Sequence, residues 1–338
     1  MAAAEGARRF GAGSGASRLI TGTLAIHTEL EAKLAAFKQT PAALSFESGY
    51  AAAVGAIPSI VGKSDVIILD KLVHACLIDG ARLSGAEIRV YPHNRVERLR
   101  DLLRWAREKR AGARILIVTE AIFSMDGDFC PLSEIVELKD EFGAMLLLDE
   151  AHAIGVVGPH GAGLAAHCGL TDRVEIHLGT LSKAIGSTGG FIAGHTFLID
   201  VLVNCARTFI YSTAPTPAAV AAAIEGLSLV GSDTGDRLRN SLARNRKELT
   251  AGLDYHSPGS VGSAIVPIIV EAEARALSLS EGLAEQGFLV PAIRFPTVSR
   301  GSARIRITLS AIHTQNEVLG LCQALRDEGL LVSKGASS

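Results

Sequence analysis

Short apolar runs alternate with helical stretches along most of the chain, and this alternation is the feature that most constrains its fold. Several runs are almost continuously apolar, which is typical of strands buried on both faces of a mostly parallel sheet. We predict strands at 66–70, 87–91, 115–120, 145–149, 174–178 and 191–193, and helices at 28–37, 94–109, 132–141 and 197–208. The pattern predicts an α/β fold with a doubly wound sheet that carries helices on both faces.

After residue 217 the pattern changes to that of a second, smaller α/β domain. Helices are expected at 217–229 and 234–253, a strand at 264–270, a helix at 274–286, and strands at 288–294 and 303–309. Gly287 is expected to cap the helix before it, and Thr314 with Glu317 has capping-box spacing for a final helix. We therefore predict a large domain over residues 1–217, with a short N-terminal segment, and a small C-terminal domain over 218–338.

Titratable and hydroxyl side chains end or closely follow four of the predicted strands. In open α/β sheets, ligands bind beyond the carboxyl ends of the strands. Taken singly, each residue could have a structural role, as a helix cap, a buried imidazole or a turn residue. Their coincidence at one edge predicts a functional site there. In chain order they are Asp70 with His74, Glu120 with Ser124, Asp149 with His152, and Lys183.

Lys183 lies among small and hydroxyl residues, in a stretch from Gly179 to Gly190 that follows a predicted strand. A lone lysine in a loop is most often solvated, but a partly buried amine has its charged form disfavoured and can attack an aldehyde. Asp149 and His152 precede it in the chain. A pyridoxal phosphate (PLP) site needs such a set: an aspartate that keeps the ring nitrogen protonated, a histidine, and a lysine that holds the aldehyde as a Schiff base.

Charge and cysteine content exclude several classes of protein. With 33 basic and 35 acidic residues the formal net charge is −2, which leaves no electrostatic footprint for nucleic acid. The five cysteines have no paired spacing, so neither a disulfide framework nor a zinc site is expected, and a reducing cytoplasm fits best. No apolar run approaches the roughly 20 residues that span a bilayer, and the first residues do not resemble a signal peptide. We expect a soluble cytoplasmic protein with no nucleic-acid or membrane partner and no metal.

Several motifs taken together resemble those of the α-oxoamine synthases, which are PLP enzymes of fold type I. The resemblance extends from the glycine-rich stretch 11–18 to the last predicted strand. It implies the PLP-dependent transferase fold type I, in which a mostly parallel doubly wound sheet is followed by a smaller C-terminal α/β domain. The matching motifs are Ser48-Gly49-Tyr50, Asp70-Lys-Leu-Val-His74-Ala, Glu120-Ala-Ile-Phe-Ser-Met-Asp-Gly-Asp128, Asp149-Glu-Ala-His152 and Thr180-Leu-Ser-Lys183-Ala-Ile-Gly-Ser-Thr-Gly-Gly190.

The resemblance also implies a role for each matching residue around the cofactor. Lys183 matches the Schiff-base lysine, which also moves protons at the substrate α-carbon. Asp149 matches the carboxylate that faces the pyridinium nitrogen, and His152 the partner of the ring hydroxyl. His74 matches the imidazole stacked on the ring. The remaining implied cofactor contacts are Gly49 and Tyr50 at the phosphate, Ser124, Thr180 at the phosphate, and Thr213, which in an obligate homodimer reaches the partner's phosphate.

Segments 291–298 and 303–308 are most similar to those of the family members that make 8-amino-7-oxononanoate in biotin synthesis. Arg306 matches the arginine that holds the substrate carboxylate, for which a planar guanidinium suits bidentate binding. Thr297 matches a further substrate contact and Arg294 is the next candidate for the carboxylate, whereas Arg304 is expected to face solvent. The implied activity is a decarboxylating condensation of L-alanine with a pimeloyl thioester, carried on coenzyme A or acyl carrier protein.

Three alternatives remain within the enzyme class: glycine C-acetyltransferase, 5-aminolevulinate synthesis and sphingoid-base synthesis. From another class comes a non-catalytic partner subunit, but such a subunit has no need of the lysine that this chain retains at position 183. Cys76, Ala53 and Ala153-Ile154 depart from the family's usual serine, asparagine and Gly-Thr. The segment before Gly11 is shorter than in the family, where it forms part of the acyl-chain wall. We therefore expect this chain to bind PLP and alanine but to condense pimeloyl thioester poorly.

Overall fold

A computed structural model describes residues 1–253 and 262–330. The chain forms two compact units. The first contains residues 1–122 and 129–235, and the second contains residues 123–128 and the chain from Asp236 onward. The domain boundary expected between residues 217 and 218 stays a prediction; a helix begins at Pro217, and its residues belong to the first unit.

The first unit contains a seven-stranded, mostly parallel sheet. Its strands are β1 (Ala42–Phe46), β2 (Val66–Asp70), β3 (Glu87–Tyr91), β4 (Ile115–Glu120), β5 (Met145–Asp149), β6 (Ile176–Thr180) and β7 (Gly190–Gly194). Their order across the sheet is β1-β7-β6-β5-β4-β2-β3. Strands β2 to β6 run parallel, and β7 is antiparallel to both β6 and β1. The predicted α/β fold is confirmed, although β1 was not predicted and β6 starts two residues later than expected.

Helices connect and cover these strands. They are α1 (Ala2–Phe10), α2 (Ala25–Lys38), α3 (Gly49–Ile60), α4 (Ala75–Ser84), α5 (Val96–Lys109), α6 (Leu132–Phe142), α7 (Leu164–His167), α8 (Thr196–Cys205), α9 (Arg207–Ile210) and α10 (Pro217–Val230). The helix predicted over 197–208 is interrupted at Ala206, which adopts an extended conformation between α8 and α9.

Alternate residues of β1 and β7 face opposite layers of helices, as the pleat of a strand requires. Ala43 and Phe191 pack in a core with residues of α2 and α10, among them Leu34 and Val220. On the other face, the ring of Phe46 packs edge-on against Phe209 of α9, with the ring centroids 6.0 Å apart. Helices therefore cover both faces of the sheet at this end. A ligand site here can lie only in the loops that follow the ends of the strands.

The second unit is built around a three-stranded antiparallel sheet. Its elements are α11 (Asp233–Gly252), whose first residues lie in the first unit, β8 (Ile265–Glu271), α12 (Glu273–Glu285), β9 (Ala292–Ile293), β10 (Ala303–Thr308) and α13 (Gln315–Asp327). The strand order is β8-β10-β9. Val266, Ile305 and Ile307 pack against the buried faces of α12 and α13.

Two predicted helix ends of this unit are confirmed. Thr314 caps α13 through a capping box with Glu317, and Gly287 follows α12 with a φ of 87°, a conformation that glycine adopts without strain. The strand expected over 288–294 is wrong for most of its length, because only Ala292 and Ile293 pair with β10. In the described part of the chain, no helix is both long and apolar enough to cross a membrane.

Candidate functional site

A cavity of about 190 Å³ lies in the first unit at the carboxyl ends of β4, β5 and β6. It brings together many of the predicted site residues: Gly49, Tyr50, His74, Asp149, His152, Thr180 and Lys183. Ser48, Cys76, Glu120 and Ser182 also line it. Of these four, only Glu120 was among the strand-end residues predicted to lie at a site, and none was predicted as a cofactor contact. Asp70 does not line the cavity; its carboxylate accepts hydrogen bonds from the Leu72 and Asn94 backbones instead.

The N-terminus of α3 opens onto this cavity. Ser48 caps the helix, and its Oγ accepts a hydrogen bond from the Ala51 N–H at 3.0 Å. Gly190 packs so tightly here that a Cβ on it would lie 2.4 Å from the Gly49 nitrogen. Because the first N–H groups of a helix have no partner within it, the start of this 12-residue helix can bind an anion such as a phosphate.

Thr180 and Lys183 lie where β6 turns into the loop that leads to β7. Thr180 Oγ1 donates to the Gly189 carbonyl at 3.1 Å and accepts the Ser182 N–H at 3.2 Å. The loop is closed by a backbone hydrogen bond of 2.9 Å from Leu181 to Gly189. The Lys183 side chain is exposed at the cavity, and its amine makes no hydrogen bond or ion pair to any described residue. The lysine is therefore available to a ligand.

Asp149 ends β5 with a buried carboxyl group. Its Oδ1 accepts the Ala151 N–H at 2.9 Å, and no described cation forms an ion pair with it. Burial raises the pKa of Asp149 to about 6, while the Ala151 N–H and the charge of Lys183 act in the opposite direction. A buried carboxylate without a cation is costly. The site therefore fits a ligand that brings a protonated ring nitrogen to this position.

His74 caps α4 and presents one defined tautomer. Its Nδ1 accepts the Cys76 N–H at 3.3 Å and lies 3.0 Å from Cys76 Sγ. Burial, and then the nearby charge of Lys183, lower the pKa of His74. We infer a neutral imidazole that carries its hydrogen on Nε2, because Nδ1 is an acceptor. Such a ring is suited to stacking on an aromatic cofactor.

His152 lies in the loop after β5, and Glu150 of the same loop belongs to a buried cluster. Glu150 is fully buried, and its Oε2 accepts Lys38 Nζ at 2.5 Å and contacts His177 Nδ1 at 3.0 Å. Its Oε1 accepts the Ala165 N–H at 3.2 Å. Burial alone would raise the pKa of Glu150, but Lys38 and His177 lower this pKa to about 2. Glu150 thus ties the loop to α2 and β6 as a permanent anion.

Replacing Lys38 by methionine should lower the free energy of unfolding by about 3–5 kcal/mol, because Glu150 would be left as an uncompensated buried charge. Denaturant unfolding at neutral pH measures the change. Arg100→Met, which removes an exposed pair with Glu141 at 2.7 Å, is the control and should cost at most about 1 kcal/mol. If the two variants lose the same free energy of unfolding, a structural role for the buried pair is contradicted.

Four other predicted residues belong to the second unit: Ser124, Arg294, Thr297 and Arg306. Arg306 is half-buried, and its Nε donates to the Ser124 carbonyl at 2.6 Å. Arg294 and Thr297 are exposed. The structure thus brings Arg306 and Ser124 together but shows no contact between Arg306 and Arg294.

The expectation that Arg304 faces solvent is wrong. Its side chain is buried, and the guanidinium donates to Asp126 Oδ1 at 2.5 Å and to the Met125 carbonyl at 3.2 Å. It anchors the segment 123–128 within the second unit. The alternation along β10 could not reveal this, because the partners come from a distant part of the sequence.

Thr213 is exposed and does not line the cavity. It pairs with Ser17 through an isolated antiparallel bridge, and the Ala214 N–H donates to the Ala16 carbonyl at 2.9 Å. The segment is therefore fixed by the glycine-rich N-terminal stretch. No described group of His, Cys, Asp and Glu residues could hold a metal ion.

The chain matches the aminotransferase class I and II family over residues 1–325. It is 47% identical over 319 residues to an 8-amino-7-oxononanoate synthase from Geotalea daltonii, covering 94% of this chain and 81% of that protein. A synthase of the same name from Anaeromyxobacter dehalogenans is also 47% identical, over 324 residues, covering 96% of this chain and 80% of that protein.

Solved structures agree with these sequence matches. Serine palmitoyltransferase from Sphingomonas wittichii has a TM-score of 0.92 at 33% identity, covering 98% of this chain and 84% of that one. The enzyme from S. paucimobilis, with bound PLP–myriocin aldimine, has the same TM-score at 31% identity and the same coverage. An 8-amino-7-oxononanoate synthase from Francisella tularensis has a TM-score of 0.79 at 27% identity, covering 97% and 90% of the two chains.

Proposed function

The chain belongs to the aminotransferase class I and II family, in its α-oxoamine synthase branch, and from this premise we propose that it is a PLP-dependent acyltransferase of biotin synthesis. It condenses L-alanine with a pimeloyl thioester and releases 8-amino-7-oxononanoate. The observation that carries the proposal is the 47% identity to 8-amino-7-oxononanoate synthases over 94% of the chain.

The residues of the cavity fit PLP. Asp149 is a buried carboxylate that forms no ion pair with a described residue, which leaves it available to a pyridinium nitrogen. The start of α3 and the hydroxyl of Thr180 suit the phosphate, and His74 offers a neutral ring for stacking. When bound, PLP withdraws electrons from the α-carbon of the amino acid.

Each side chain then has a separate task. Lys183 holds the cofactor aldehyde and later takes the proton from the α-carbon of alanine. Asp149 keeps the ring nitrogen protonated, and His152 binds the ring hydroxyl. Ser124, Thr213, Arg294 and Thr297 are proposed contacts on the same grounds of family resemblance.

The reaction balances without any further reagent. A bond forms between the α-carbon of alanine and the carbonyl carbon of the thioester, and the carbon–sulfur bond breaks to release the free thiol. The bond between the α-carbon and the alanine carboxylate then breaks, and carbon dioxide leaves. A proton returns to the same carbon.

Turnover with matched substrates tests the proposal. The holoenzyme should release 8-amino-7-oxononanoate, identified by mass spectrometry, from alanine with pimeloyl thioester. Glycine with acetyl-coenzyme A and serine with palmitoyl-coenzyme A test the glycine C-acetyltransferase and sphingoid-base alternatives. A preference for either of those pairs would overturn the assignment. Absence of a cofactor band in the visible spectrum after incubation with PLP would favour the non-catalytic subunit.

Arg306→Ala should raise the Michaelis constant for alanine while the cofactor spectrum stays normal. Burial lowers the pKa of the Arg306 guanidinium, but an arginine remains charged at neutral pH, and loss of a buried carboxylate partner costs roughly 2–5 kcal/mol. Arg306→Lys is the control, because it keeps the charge but loses the bidentate fork. An unchanged Michaelis constant in both variants would move the carboxylate site to Arg294.

We also propose that the active form is a cytoplasmic homodimer. Tyr211, beside the segment that carries Thr213, exposes 71% of its surface, which supports burial against a second copy. Sedimentation of the holoenzyme at several concentrations tests the dimer. A monomer that retains full activity would contradict it.

A further inference from the structure

Glu120 is a buried carboxyl group of the cavity to which the reaction described above gives no task. It ends β4 and lies directly beside Asp149 of β5, its partner in the parallel register. Only 2% of its surface is exposed. Two carboxyl groups therefore share the floor of one small cavity, and two neighbouring negative charges there would repel each other.

Among the described residues, Glu120 accepts one hydrogen bond and forms no ion pair. Its Oε1 accepts the backbone N–H of His74 at 2.5 Å, and no described lysine, arginine or histidine lies within ion-pair distance of it. Buried carboxylates are normally paired with a cation or with several donors. One backbone N–H is less than an ionised carboxylate needs, and it suits a neutral carboxyl group.

We propose that Glu120 is a protonated carboxylic acid in the working enzyme, and that it is a positioning residue that holds His74 in place at the cavity that would bind the cofactor. This proposal rests on the proposed function only in assigning His74 to the cofactor. A neutral Glu120 leaves Asp149 as the one carboxylate that faces the ring nitrogen. The His74 backbone is fixed from one side by Glu120, and its ring from the other by Cys76.

The charged and titratable groups around Glu120 agree with this assignment. Burial, and next the charge of Asp149, raise the pKa of Glu120 well above its usual range; Asp70 on β2 acts in the same direction, and the His74 N–H and Lys183 oppose it. Cys76, which also lines the cavity, has its pKa raised to about 12 and stays uncharged, and the lowered pKa of His74 keeps its imidazole neutral. The nearest carboxyl group, Asp149, ionises at about 6, so Glu120 is the member of the pair that keeps its proton.

The experiment compares Glu120→Gln with Glu120→Ala in the PLP-loaded protein. Glutamine has the shape of a protonated glutamate, keeps an acceptor for the His74 N–H and carries no charge. We expect it to restore most of the alanine-binding affinity and activity that Glu120→Ala loses, with Glu120→Ala lower by roughly tenfold. The pH titration of the cofactor absorbance should be the same in Glu120→Gln and in the native protein.

Infrared spectroscopy tests the proton directly. The difference spectrum between the native protein and Glu120→Gln at pH 8 should contain the carbonyl band of a protonated carboxylic acid, which shifts in D₂O. The matched control is Asp149→Asn, the same type of exchange at the neighbouring ionised carboxylate, and it should remove carboxylate bands instead. Absence of the acid band, or a Gln variant as impaired as the Ala variant, would overturn the proposal. The acid band and the alanine-binding affinity do not depend on which acyl thioester the enzyme uses, so the proposal can be tested even if the proposed acyl substrate is wrong.

Discussion

Lys183→Ala should leave a folded protein that loses turnover by roughly 10³-fold or more. The lysine amine makes no hydrogen bond or ion pair to any described residue, and the loop around it is closed by backbone bonds that alanine keeps, such as Gly186 N–H to the Lys183 carbonyl at 3.0 Å. The change therefore removes the group that attacks the aldehyde and carries the proton, and it removes little stability.

Visible absorbance measures the loss of the bond between the lysine and the cofactor aldehyde, and single-turnover kinetics measure the loss of proton transfer. The band of the lysine-linked cofactor should be absent, although PLP can still bind through the contacts of α3 and Asp149. Lys71→Ala is the control: Lys71 is exposed, follows β2 at the same end of the sheet and does not line the cavity. Near-normal turnover in Lys183→Ala would refute the assignment of the whole site.

The parts of the fold that could be predicted are those that local sequence determines. Buried parallel strands need apolar side chains on both faces, so β2, β4 and β5 stand out as apolar runs, and their ends carry the cavity residues Glu120 and Asp149. Strand β1 was missed because Ala42–Phe46 is short and contains a serine, and it is specified by pairing with the distant β7.

The parts of the site that could not be predicted depend on contacts between distant residues. The sequence places Glu120 at the end of a strand but cannot reveal that its carboxyl meets the His74 backbone. Arg304 alternates with buried residues as an exposed strand residue would, yet it is buried by Asp126 and Met125. The buried group of Lys38, Glu150 and His177 likewise joins three segments, none of which has a charge pattern that predicts the cluster.

Asp149→Asn should slow the reaction by roughly 10²–10³-fold and yet stabilise the protein without cofactor at neutral pH. An amide cannot hold a positive pyridinium, so exchange of the alanine α-proton should slow far more than alanine binding weakens. The stabilisation has a separate cause. Burial raises the pKa of Asp149 from an ordinary 3.8 to about 6 in the folded protein, so the ionised side chain favours the unfolded chain.

The direction in which the contribution of Asp149 to stability changes with pH follows from proton linkage. Between pH 4 and pH 6 the unfolded chain has released this proton while the folded protein still holds it, so the contribution of Asp149 to stability falls as the pH rises through this window and stays low above it. The asparagine variant has no such loss. The free energy of unfolding of the variant should equal that of the native apoprotein near pH 4 and exceed it by about 2–3 kcal/mol at pH 7.

Thermal unfolding of both apoproteins from pH 4 to pH 8, with the same series after addition of PLP, measures the effect. PLP should stabilise the native protein more than the variant, because the pyridinium offsets the charge that burial disfavours. Asp140→Asn is the control, since that carboxylate is exposed and its pKa is lowered by Lys139 and Arg173; its stability should change in the opposite direction. If Asp149→Asn is less stable than the native apoprotein at pH 8, the carboxylate has a structural partner and is not held ready for a ring nitrogen.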